Sequence, residues 1–185
     1  MLRYALISLL CLTFSSPVFA KELAGVKLAD TIEVEGKTLQ LNGIALRKKF
    51  IFDVYVAGLY LENTSKNAQQ ILNSDQTKVV RMVMRRDLEG KAIVDAIRDG
   101  FEKNAGDKLP QLKERLDNFI SGMPPSVKSN DVINLTYVPG KGTRVESKSG
   151  KEINVEGKDF ADALFSVFIG QHPVDKGMKK NLLGQ

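Results

Sequence analysis

The sequence predicts an α+β domain, a mainly antiparallel β-sheet covered by a layer of helices. Strand-like segments follow one another across short turn signals, as hairpins do, and amphipathic helices do not alternate regularly with strands as βαβ units require. One long segment, 50–62, is apolar on both of its faces, which calls for cover on both sides.

The elements follow in order. Segments 31–35 and 38–41 alternate around Gly36 and read as a hairpin. Segment 50–62 reads as one long strand. Ile51, Asp53, Tyr55, Ala57, Leu59 and Leu61 fall on one face, and Phe52, Val54, Val56, Gly58 and Tyr60 on the other. A short helix is expected over 65–73, with Ser65 as its cap, then a strand over 77–86 in which Val80, Met82 and Met84 share a face. Ile93, Ile97 and Phe101 repeat every four residues in a helix over 88–104. Pro110 opens another helix whose stripe is Leu112, Leu116, Phe119 and Ile120, and Pro124-Pro125 ends it. Three short strands follow over 131–138, 143–147 and 152–156. A last helix packs Phe160, Leu164, Val167 and Phe168, with Gly170 at its cap and Pro173 at its exit.

Residues 1–20 read as a cleavable secretory signal: Arg3, an apolar run over 4–14, a Ser-Ser-Pro break and Val18-Phe19-Ala20 before the cut. The apolar run is shorter than the roughly 20 residues that span a bilayer. Residues 21–185 form the expected single domain, which reads as soluble and periplasmic, without disulfides because the lone cysteine is Cys11. A chain of this length buries about two-thirds of its unfolded surface in one core. The formal net charge of +5 falls to +4 once Arg3 leaves with the signal. Export and scattered lysines argue against nucleic acid, while a basic surface leaves room for anionic amphiphiles or an anionic membrane surface.

Most catalytic and metal chemistries lack their residues. One histidine, His172, without a cysteine in the mature chain builds neither a conventional zinc site nor a Ser-His-Asp or Cys-His system. "PGKGT" at 139–143 lies between two strands and reads as a hairpin turn, not a phosphate loop. Asp87, Glu89 and Asp95 suit a helix start. Met82 and Met84 read as core filler, and Arg81 and Arg85 as an edge that is solvated or paired with carboxylates. No catalytic residue, metal site or cofactor is expected.

In "LNGIALRKKFIFDVYVAGLYLE", "VVRMVMRRDLEGKAIVDAIRDGF", "LTYVPGKGTRV" and "GKDFADALFSVFIGQHPVDKGMKKNLLG", the sequence resembles the chalcone isomerase-like family in its bacterial secreted branch. The resemblance implies a chalcone isomerase-like fold with a ligand cleft between sheet and helices. In the plant enzymes an arginine on an early strand holds the substrate oxyanion. A threonine on the next strand and a helical tyrosine and asparagine assist it. The matching positions here are Arg47, Tyr55, Ile93 and Gly100, so the helical polar pair is missing. The family's plastid fatty-acid-binding relatives share the arginine and the tyrosine.

The resemblance implies non-catalytic periplasmic binding of a fatty acid or similar small amphiphilic anion. Arg47 and Tyr55 would hold the anionic end, and the apolar strand with Val83 and Phe101 would enclose the hydrocarbon. Alternatives are an envelope scaffold with a vestigial cleft and an isomerase of a conjugated carbonyl compound. In the bland reading of the same residues, Arg47 pairs with Glu33 or Glu35 at the surface and the strand is simply core.

Overall fold

The computed structural model describes residues 20–185. The expected signal lies outside these residues, apart from Ala20. The chain opens with a hairpin of β1 (Ala20–Leu23) and β2 (Val26–Ala29), which carries Val26 and Leu28 as buried residues. Sequence reasoning missed it, because four-residue strands give too little alternation to register. β3 (Thr31–Val34) then pairs with β4 (Lys37–Lys49) through a turn in which Glu35 and Gly36 both take positive φ.

β4 is much longer than the expected 38–41 and reaches the cationic cluster Arg47-Lys48-Lys49. Phe50 and Ile51 form a two-residue turn, not the start of the long strand, and β5 (Phe52–Leu61) returns alongside β4. The short α1 (Ala68–Asn73) is capped by Asn67, whose side chain accepts from the Gln70 amide; Ser65 lies two residues further out. β6 (Lys78–Met84) follows, then the two-residue β7 (Leu88–Glu89) and the helices α2 (Gly90–Ala105) and α3 (Leu109–Ser121). β7 pairs with β8 (Ser126–Val127). β9 (Val132–Val138), β10 (Gly142–Ser147) and β11 (Ile153–Val155) form a meander, and α4 (Lys158–Ile169) and α5 (Lys176–Leu182) complete the chain.

The main sheet has seven strands in the order β11-β10-β9-β6-β5-β4-β3, with every neighbouring pair antiparallel. One face, with Ala57, Leu59, Val80, Met82, Met84 and Leu135, packs on Ile97, Phe101, Phe119, Phe160 and Leu164 of the helices. α4 is buried over most of its circumference, between the sheet and the other helices, and leaves only the face of Asp159, Asp162 and Ser166 open. The other face, with Leu39, Leu41, Val56, Tyr60 and Val79, is covered by Val26 and Leu28. The two-sided burial of β5 therefore comes from helices on one side and the N-terminal hairpin on the other.

Two features lock the ends of this layer. Lys78 is fully buried on β6 and its ammonium donates to the carbonyls of Ile71, Leu72 and Ser74 at 3.0, 3.4 and 2.9 Å. It thus satisfies the orphan acceptors at the C-terminus of α1. At the other end α5 lies directly on β4. Gly43 admits it, because a Cβ there would overlap the carbonyl oxygens of Asn181 and Leu182. Asn42, an extra residue in β4 where the register with β5 shifts, donates to Leu182 O at 2.8 Å and accepts from Ser65 N at 2.8 Å. Among the described residues no helix is long and apolar enough to cross a membrane, and no cluster of three metal-ligating side chains occurs.

Candidate functional site

Between the tip of the β4–β5 hairpin and the helices α2 and α4 lies a cavity of about 200 Å³. Its walls are almost wholly apolar. β5 and β6 contribute Phe52, Val54, Tyr55 and Met82, α2 contributes Ala92, Ile93, Ala96 and Ile97, and Val167, Phe168 and Val174 close the back. Arg47, Lys49 and Arg86 stand at its polar rim. The small side chains of Ala92 and Ala96, one helical turn apart, leave the space that larger residues would fill.

A bulge shapes the wall. Arg47 pairs with Tyr55 and Lys48 with Asp53, so Val54 is an extra residue in β5. Strict alternation would put Phe52 and Val54 on the Val56 face, under the N-terminal hairpin. The extra residue bends the strand and turns Val54 towards the helical core and Phe52 into the cavity. Tyr55, directly opposite Arg47, also lines it, so three near-consecutive side chains serve one wall. No sequence pattern signalled this bulge.

Arg47 is 22% exposed and its Nη1 donates to Lys48 O at 2.6 Å and to Asp175 Oδ2 at 3.1 Å. Asp175 is also the N-cap of α5, its Oδ1 accepting from Met178 N at 2.9 Å. One carboxylate therefore starts a helix and neutralises the arginine. Among the described residues Nε and Nη2 of Arg47 and the Tyr55 hydroxyl have no hydrogen-bond partner in the protein. Burial pushes the Tyr55 hydroxyl far above the usual phenol range; the nearby Arg47 charge opposes this and Asp175 reinforces it. Tyr55 is thus a neutral hydrogen-bond donor at any physiological pH.

The structure brings Arg47 and Tyr55 together at the cavity and separates the other two expected residues from it. Val83 lies on the opposite face of β6 from Met82 and Met84 and packs in the cluster beneath the N-terminal hairpin. The two-residue period of the strand requires this once Met82 faces the helices. Phe101 is one turn beyond Ile97 and fully buried, its ring 5.4 Å from that of Phe160, so it is core and not lining. Arg47 does not pair with Glu33 or Glu35. Glu33 accepts from Thr38, and Glu35 is held by Lys141 and Arg144.

The family model described as chalcone isomerase-like matches residues 20–184. The chain belongs to the chalcone isomerase-like family. A solved structure similar to it is that of a fatty-acid binding protein of Arabidopsis thaliana. The two superpose with a TM-score of 0.66 at 19% identity, over 90% of this chain and 96% of that one. No curated protein matched the sequence. The family's fold accounts for the sheet order and the helical layer. At the positions that resemblance assigns to the plant enzymes' helical tyrosine and asparagine, Ile93 is an apolar cavity wall, and Gly100 packs against Val167. The helical side of the cavity offers no hydroxyl or amide there.

Proposed function

We propose that this protein is a non-catalytic periplasmic carrier of a fatty acid or a similar apolar anion. The ligand sits in the cavity between β5 and α2, its carboxylate at Arg47 and Tyr55. The observation that carries this reading is the pairing of an apolar cavity with donors at one end that the protein itself leaves unused. A guanidinium offers several N–H groups in a fixed fork, and Asp175 and Lys48 occupy only Nη1. Family membership and the fatty-acid binding protein among its structural relatives agree with this cargo. At about 200 Å³ the cavity is smaller than the ~300–1,000 Å³ of drug-sized sites. It suits a short acyl chain or the leading part of a longer one.

Native mass spectrometry of the purified protein tests the reading. The wild type is expected to retain a fatty acid, or to take up added palmitate, and Arg47→Met to lose most of it while keeping its fold. Equal loading of both proteins removes Arg47 from the site. The periplasmic part of the proposal predicts an intact mass that begins at Lys21 in protein recovered from cells.

The scaffold alternative has one observation in its favour: Arg47 already has a carboxylate partner. If the ion pair exists only to fasten α5, no acid will bind at this end.

A further inference from the structure

We infer that the tip of the β4–β5 hairpin is a docking element for an anionic lipid surface, which sets the mouth of the cavity against the headgroups. Among the described residues the large hydrophobic side chains left exposed are Phe50, Ile51 and Phe52, at 89%, 86% and 51%. They are consecutive and form the end of the longest hairpin of the sheet.

The fold does not require them. Phe50 has φ of 55°, a left-handed conformation that glycine or asparagine adopts with least strain at the first position of a two-residue turn. An aromatic residue there is strained and exposed at once, so local stability does not explain its presence. An apolar tip is stable when it is immersed in something less polar than water.

The charges around the tip select the surface. Lys48 and Lys49 precede it, and Arg85 and Arg86 stand beside it at the end of β6, with the Arg86 guanidinium 4.5 Å from the Phe52 ring centroid. The acidic neighbours are few and engaged: Asp53 lies 3.5 Å from Lys48, Asp87 pairs with Lys128, and Asp95 pairs with Lys91. Four cations against the one carboxylate of Asp53 leave a net positive charge around a projecting aromatic and aliphatic tip, the pattern of interfacial anchors on anionic bilayers. A protein partner needs a broader face than a two-residue turn supplies. Lys49, Phe50, Phe52 and Arg86 also line the cavity, so insertion of the tip opens the cavity onto the lipid. The docking rests on the tip alone; the idea that the tip delivers a cargo rests on the binding function proposed above.

Sedimentation with vesicles of phosphatidylglycerol and phosphatidylcholine, compared with phosphatidylcholine alone, tests the inference. Ile51 and Lys48 lie outside the cavity wall, so their variants separate docking from loading. Wild type is expected to bind the anionic vesicles, less so at high salt, and to bind pure phosphatidylcholine at least tenfold more weakly. Ile51→Asp should reduce anionic binding at least tenfold, and Lys48→Gln about fivefold, with palmitate uptake in vesicle-free solution equal to wild type. Equal binding of wild type and Ile51→Asp, or equal binding to both vesicle types, overturns the docking. So does a self-associated species that Ile51→Asp dissolves while vesicles bind nothing. Vesicle binding with no palmitate uptake supports the docking and removes the carrier function.

Discussion

Replacing Asp175 by asparagine separates two roles for Arg47 that the ion pair leaves entangled. Asparagine caps a helix as well as aspartate does, so α5 should keep its start and the bond to Met178 N. What disappears is a negative charge 3.1 Å from Arg47 Nη1. A ligand carboxylate taking the free side of the same fork would lie about 5 Å from Asp175. At that separation two charges repel by about 0.8 kcal/mol in water and about 3 kcal/mol at an effective dielectric constant of 20. Both side chains keep some solvent contact, 22% for Arg47 and 29% for Asp175, so screening leaves roughly 1–2 kcal/mol. Asp175→Asn should therefore bind dodecanoate about 5- to 30-fold more tightly than wild type. Calorimetric titration at pH 8 measures this, because the chain has no tryptophan to report binding by fluorescence. The methyl ester serves as a control and should bind both proteins alike. Unchanged or weaker binding of the acid, in a variant that melts like wild type, would refute the reasoning and leave Arg47 as a fastener of α5.

Ala96→Leu places a branched side chain in a partly exposed part of the cavity wall; palmitate uptake should fall at least tenfold with little change in thermal midpoint. Lys78→Met removes a donor from three carbonyls, of which Ile71 O keeps Ser74 Oγ and Leu72 O keeps Lys158 Nζ, and should destabilise the fold by on the order of 1–3 kcal/mol, read from urea unfolding. Burial lowers the Lys78 pKa from 10.5 to about 8, with Asp162 opposing the shift. Between those values the unfolded chain holds a proton that the folded one has released, so stability should rise from pH 8 towards pH 9.5. That slope should be absent in Lys78→Met, and an identical pH profile in both proteins would contradict the assignment. Gly43→Ala should push α5 off β4, seen as fast amide exchange at Met178 and Leu182, because the added methyl overlaps two carbonyl oxygens.

The fold was legible where periodicity ran long. The four-residue spacing of Ile93, Ile97 and Phe101 and the alternation over 131–138 translate directly into α2 and β9. Arg47 and Tyr55 stand out only through the family resemblance: alternation alone ends β4 before Asn42 and gives no sign that the two residues lie opposite one another. Bulges were not visible. An extra residue at Val54 reverses the facing of Phe52 and Val54, and period-two reasoning has no term for it. Val83 was misplaced for a simpler reason, since the sharing of a face by Met82 and Met84 already put it on the other side. Asp175 escaped notice because α5 is short and lysine-rich, with only Met178 and Leu182 buried, and gives no strong apolar stripe.

The ion pair joins residue 47 to residue 175, so the polar end of the cavity is made from opposite ends of the chain. Val174 of the cavity wall immediately precedes Asp175, so the apolar back of the hollow and the counter-charge arrive on one segment, the one that leads into α5. Anything that lifts α5 from Gly43 therefore loosens the back wall and frees the arginine fork together.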